Sequence, residues 1–191
     1  MWDVEITCSR LVKKLILQDN AVDFCLADPN SISNYSEALL RKIKEYNPDT
    51  IIAQSTGALA LTSNLIFESL DIPKIILISP LGFLKNQMLI KPLFLAKRAL
   101  YGIDYIQKVD KNKQLPLRWL DDLFSLQENL RGLKINNNCT LITANQDITI
   151  NNNKTLKFYS SIFREIKHLE LESTHNIIKT NTDLLVKVLE P

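Results

Sequence analysis

Two short apolar runs, Thr50-Ile-Ile-Ala-Gln54 and Lys74-Ile-Ile-Leu-Ile-Ser79, flank a stretch of small, helix-compatible residues from Gly57 to Leu70. Apolar runs of this length, bounded by turn residues, fit strands covered on both faces, which is how parallel sheets are built. Asn47-Pro48-Asp49 and Asp71-Ile72-Pro73 supply the breaks before each run.

The same alternation extends along the chain. Val22–Ala27 is a further strand candidate, and Ser36–Tyr46 reads as a helix with Leu39, Leu40 and Ile43 on one face. Cys139–Thr143 is a fourth strand, Asn153–Phe163 a helix, Glu165–Leu171 a fifth strand and Asn181–Leu189 a last helix. Asn136–Asn138 and Asn151–Asn153 read as short polar turns. Strand alternating with helix predicts an α/β class, a mostly parallel sheet flanked by helices. Residues 84–133 are too long for a simple crossover and are read as a mostly helical cap inserted into a single domain, residues 1–191.

The chain has 191 residues, 46% hydrophobic and 23% charged, and a net charge of +2. That is ordinary globular composition, and so small a charge gives no basis for polyanion binding, so no nucleic-acid partner is expected. Cys8, Cys25 and Cys139 are widely spaced and form no C-x-x-C pair, which predicts reduced thiols rather than a disulfide framework or a zinc site. No metal or organic cofactor is implied, because there is no ligand cluster and no phosphate-cradling glycine loop. No segment reaches the roughly 18 uninterrupted apolar residues of a membrane span, and no secretory signal is evident, so a cytoplasmic location is expected, with a plastid-type compartment as the other option. The stretch Met88–Leu100, interrupted by Lys91, Pro92, Lys97 and Arg98, is an amphipathic helix that covers a site or touches a membrane surface, the first being preferred.

Ser55 sits directly between the Thr50–Gln54 strand and the small-residue helix, with Ala53, Gly57 and Ala58 around it. A sharp strand-to-helix turn needs such small neighbours, and it exposes the serine at a helix N-terminus where backbone N–H groups favour a developing oxyanion. An ordinary serine N-cap explains the same residue. Asp147 follows the fourth strand and His175 the fifth, and carboxyl ends of parallel strands are where sites assemble. Each has a plain alternative, a turn residue and a surface histidine. His168, the other histidine, lies inside a strand pattern and reads as structural. The order Ser55, Asp147, His175 supplies a hydroxyl nucleophile, a base to take its proton and a carboxylate to orient that base.

With those residues in place, the sequence resembles the α/β-hydrolase superfamily. Ala53-Gln54-Ser55-Thr56-Gly57 looks like its G-x-S-x-G elbow, Lys74–Phe83 resembles the strand after the elbow helix, Leu141–Ile148 the strand carrying the acid, and Leu171–Ile177 the loop carrying the histidine. The resemblance covers about Val22 to the C-terminus. It implies a serine hydrolase cleaving a carboxylic ester or thioester through an acyl-enzyme, with the Thr56 backbone N–H in the oxyanion hole and a small-molecule ester or acyl substrate. The cap would line an apolar pocket with residues such as Met88, Leu89, Leu93 and Tyr105, the alternative being that they pack on the sheet. Lys85, Lys91, Lys97 and Arg98 would meet an anionic carrier or headgroup, or form a solvated face.

Two departures bear on activity. Ala53 stands at the first elbow glycine. Only 54 residues precede Ser55, and Met1–Pro29 contains no glycine, whereas the family carries a glycine loop there that gives a second oxyanion donor. The chain is therefore expected to start near or after that loop. Either Asp3–Cys8 is a strand and Cys8-Ser9-Arg10 the loop, or Trp2–Leu17 is the first helix and the preceding strand is absent. This motivates an alternative function, a degenerate non-catalytic binding module without a complete oxyanion hole. An acyltransferase on the same three residues is a third reading.

Overall fold

The computed structural model describes residues 31–103, 106–110 and 113–189. The readings that fall on residues 1–30, including the Val22–Ala27 strand, both accounts of the N-terminus, Cys8 and Cys25, lie outside the described residues.

Helix α1 (Ile32–Tyr46) opens on Ser31, whose hydroxyl accepts the Asn34 N–H, and closes on Asn47 in a left-handed conformation. It starts four residues before the sequence reading because Ser31 is the cap. Strand β1 (Thr50–Gln54) leads through Ser55 into α2 (Thr56–Phe67), and β2 (Lys74–Ile78) follows. Residues Gly57 to Leu65 of α2 are all buried, which is why this helix is apolar on every side. Ser36 of α1 and Asn64 of α2 bond reciprocally, the Ser36 hydroxyl to Oδ1 at 2.7 Å and Nδ2 to the Ser36 carbonyl at 2.9 Å.

Residues 84–133 are less helical than the sequence suggests. They hold α3 (Gln87–Tyr101), an antiparallel hairpin of β3 (Ile106–Asp110) and β4 (Lys113–Pro116), and α4 (Leu117–Asn129). Leu117, Leu120, Leu123 and Phe124 of α4 are buried in the main core, whereas α3 buries only Phe94.

Strand β5 (Ile135–Ala144) is longer than predicted: Asn136–Asn138 belong to it rather than to a turn, at an irregularity in its pairing with β6. Asn151 is likewise not a turn residue alone, since its side chain caps α5 (Asn152–Ile162) by accepting the Lys154 N–H. Strand β6 (Phe163–Leu171), the short α6 (Ile177–Thr180) and α7 (Thr182–Leu189) complete the described chain.

Among the described residues β1, β2, β5 and β6 form a parallel sheet in the order β1-β2-β5-β6. Alternation along the strands divides the core between its two faces. Ala53, Ile75, Leu77, Cys139 and Leu141 meet α1, α2, α4 and α5 on one side, and Ile76, Ile78, Ile142 and Ala144 meet Ile177, Ile178 and Leu185 on the other. Register aligns Gln54 with Ile78, Ile78 with Ile142, and Ala144 with Leu171, so the chain leaves all four strands along one edge.

Candidate active site

That edge brings Ser55, Asp147 and His175 together. Ser55 turns the chain from β1 into α2 with φ 49 and ψ −117, a backbone conformation that a side chain disfavours. The turn is clamped from both sides: the Ser55 N–H donates to the Ile78 carbonyl at 3.0 Å, and the Leu81 N–H donates to the Ser55 carbonyl at 3.0 Å. Small neighbours are required for contact reasons. Ala53 is buried, and a Cβ on Gly57 would stand 3.0 Å from the Tyr35 hydroxyl.

Ser55 makes no side-chain cap bond to α2, so the N-cap alternative does not describe it. Its Oγ lies 3.0 Å from His175 Nε2 instead. His175 Nδ1 lies 2.7 Å from Asp147 Oδ2. Asp147 Oδ1 accepts the Thr149 and Ile150 N–H groups at 2.7 and 2.9 Å, and the residue is 1% exposed. Burial pushes the Asp147 carboxyl up, but the bond from His175 and the two backbone donors outweigh it and hold it below the usual carboxylate range. A carboxylate that only accepts fixes the proton on His175 Nδ1, which leaves the Nε2 lone pair facing the Ser55 hydroxyl. Thr56 is the first residue of α2, so its N–H has no partner within the helix.

His168 bonds Thr143 Oγ1 through Nε2 at 2.9 Å within the β5–β6 pair. Cys139 is a buried free thiol whose pKa burial pushes up to about 12, so it stays protonated. Among the described residues there is no group of three or more His, Cys, Asp and Glu side chains able to hold a metal, and no helix is long and apolar enough to cross a membrane.

Three further residues stand around the arrangement, of which Asn145 and Ser79 are not flagged by the sequence and Lys85 is read there only as a surface cation. The Asn145 side chain accepts the Ser173 N–H, which shapes the loop that leads to His175. Lys85 Nζ bonds the Asp147 carbonyl oxygen, tying the start of the 84–133 segment to the acid's loop. Ser79, directly after β2, has φ 41 and is 2% exposed, and its hydroxyl has no partner among the described residues. Ser79-Pro80 is visible as a dipeptide, but its conformation depends on how β2 ends against β5.

No family model matches the sequence, and no curated protein matches it. Solved structures do match. Mouse alpha/beta hydrolase domain-containing protein 10 superposes with a TM-score of 0.65 over 96% of this chain and 80% of its own, at 13% identity. A monoacylglycerol lipase of Paleococcus ferrophilus gives 0.62 over 83% of this chain and 75% of its own, also at 13% identity. A structure from work on LipS and LipT, two metagenome-derived lipolytic enzymes, gives 0.59 over 83% and 72%, at 16% identity.

This chain has the α/β-hydrolase fold.

In an α/β-hydrolase fold the nucleophile sits on a sharp strand-to-helix turn, and the acid and the histidine follow it in chain order. Here Ser55 stands at the exit of β1, Asp147 beyond β5 and His175 beyond β6. At these identities the likeness establishes the fold.

Proposed function

We propose that this chain is a serine hydrolase that cleaves a carboxylic ester or thioester through an acyl-enzyme. One observation carries the reading: Ser55 Oγ is 3.0 Å from His175 Nε2, and the other ring nitrogen of that histidine is 2.7 Å from a buried carboxylate. A serine hydroxyl is a weak nucleophile until a base takes its proton, and this relay supplies the base in the required tautomer.

In this mechanism Ser55 Oγ attacks the substrate carbonyl carbon as its proton passes to His175 Nε2. The carbonyl oxygen becomes an oxyanion, which the Thr56 N–H stabilises at the start of α2. Asp147 stays ionised and stabilises the imidazolium. Collapse of the tetrahedral intermediate breaks the ester bond, and the leaving alcohol or thiol takes the proton from His175. Water then attacks the acyl-Ser55 carbonyl with His175 again as base, and the carboxylic acid leaves. Residues 84–133 act as a cap, anchored through Lys85 beside the acid loop and through α4 in the core.

The test is labelling with a fluorophosphonate probe. Wild type should label, Ser55→Ala should not, and His175→Ala should label far more slowly. A folded wild type that does not label would instead support a non-catalytic module.

A further inference from the structure

Helix α3 is inverted relative to an ordinary surface helix, which buries its apolar stripe. At 100° per residue, an arc of roughly 160° runs from Leu95 through Met88 and Leu89 to Leu93. The arc holds no charged residue, and all of it is exposed, Met88 at 80% and Leu100 at 74%. The opposite side buries Phe94 edge-on against Phe124 of α4, with ring centroids 5.5 Å apart. Lys91 and Arg98 border one edge of the arc and Lys97 the other. Ion pairs from Lys91 to Glu128 and from Arg98 to Asp121 hold the helix with its apolar side outward. Contiguous apolar surface of this kind on a soluble fold marks an interaction site.

Charge identifies the partner. Residues 84–133 carry nine Lys and Arg against five Asp and Glu, a surplus of four in a chain whose total is +2, so the rest of the chain is net negative. Helix α3 itself has three cations and no carboxylate. Two copies meeting through α3 would oppose cationic borders, whereas an anionic headgroup layer complements them. Position adds a second argument. The Lys85 N–H donates to the Thr149 carbonyl at 2.8 Å, and between Thr149 and Asp147 lies Ile148, 84% exposed. An exposed apolar side chain thus also stands on the loop that carries Asp147, which is tied by this bond to the segment leading into α3.

We propose that α3 and Ile148 form a docking surface for an anionic phospholipid layer. Met88, Leu89 and Leu93 enter the acyl boundary while Lys91, Lys97 and Arg98 lie at headgroup level. The inference rests on the hydrolase reading only in what it is for: the layer would present ester substrate beside Ser55.

The experiment is flotation of the full chain with vesicles of phosphatidylglycerol and phosphatidylcholine, and with phosphatidylcholine alone. Wild type should float with the anionic vesicles about tenfold more than with the neutral ones. The double variant Leu89→Asp/Leu93→Asp should lose that binding with an unchanged melting curve, since both positions are exposed. Ser55→Ala should float like wild type, which separates this outcome from that of the labelling test. Failure of the wild type to float with anionic vesicles, or equal flotation of the double variant, overturns the proposal. If the non-floating wild type is a dimer that the double substitution separates, the face joins two copies instead.

Discussion

His175 Nδ1 lies 2.7 Å from Asp147 Oδ2, while the other carboxylate oxygen is held by the Thr149 and Ile150 N–H groups. The acid is therefore fixed from behind by its own loop before it meets the histidine. Its orientation does not depend on the histidine being present.

Asp147→Asn should keep that anchoring through the amide oxygen but turn an N–H toward His175. The imidazole must then accept at Nδ1 and carry its proton on Nε2, facing Ser55 with no lone pair. Turnover of a soluble ester should fall by about 10⁴ in kcat with KM little changed. Steady-state kinetics check this, and a rise in KM with kcat unchanged would contradict the proposed role.

The lowered pKa of Asp147 gives a pH signature. Its folded value lies below the ordinary 3.8, so ionisation is linked to folding. The stability it contributes is full above that ordinary value and is lost as pH falls through the lower folded value. Urea midpoints measured at falling pH below about 4 should drop more steeply in wild type than in Asp147→Asn.

Ser55 carries backbone strain, with φ 49, at the turn proposed to present the nucleophile. Ser55→Gly should relieve it and Ser55→Ala should not. Both should be inactive, but the glycine variant should be more stable than the alanine variant by about 1 kcal/mol, roughly 2–4 °C in Tm for a domain of this size. Scanning calorimetry of the pair reads the difference.

Gly82 lies against the buried Thr155, whose Cγ2 and Oγ1 would stand 2.8 and 2.9 Å from an added Cβ. The threonine cannot turn away freely, because Oγ1 accepts the Phe83 N–H. Gly82→Ala should destabilise by about 1–3 kcal/mol in urea melts, and Thr155→Ser in the same chain should recover part of it by removing Cγ2.

Elements whose identity is local were readable from the sequence. β1 and β2 are apolar runs between turn residues, and the helix that follows Ser55 is small and apolar because it is buried all round. The errors come where tertiary context decides. Asn136–Asn138 look like a turn by composition, yet they extend β5 to the irregularity in its pairing with β6, and the Asn137 side chain bonds the Ile72 carbonyl. The β3–β4 hairpin lacks the alternating pattern that would have revealed it. Ser55, Asp147 and His175 could be nominated from their positions after strands. Which way Ser55 points, toward a cap or toward His175, needed the third dimension. Ser79 could not be nominated at all, because its conformation and burial are properties of the finished sheet.

The separation of 120 positions between Ser55 and His175 also has a consequence in time. As the chain is synthesised, the serine turn and its helix emerge long before the strand that delivers the histidine. A growing chain therefore exposes the Ser55 hydroxyl without His175 beside it, and the pairing forms only once β6 has docked on β5. Long-range contacts of this kind form late in folding. Reactivity at Ser55, followed during refolding with a covalent probe, would thus be a clock for the last step of sheet assembly.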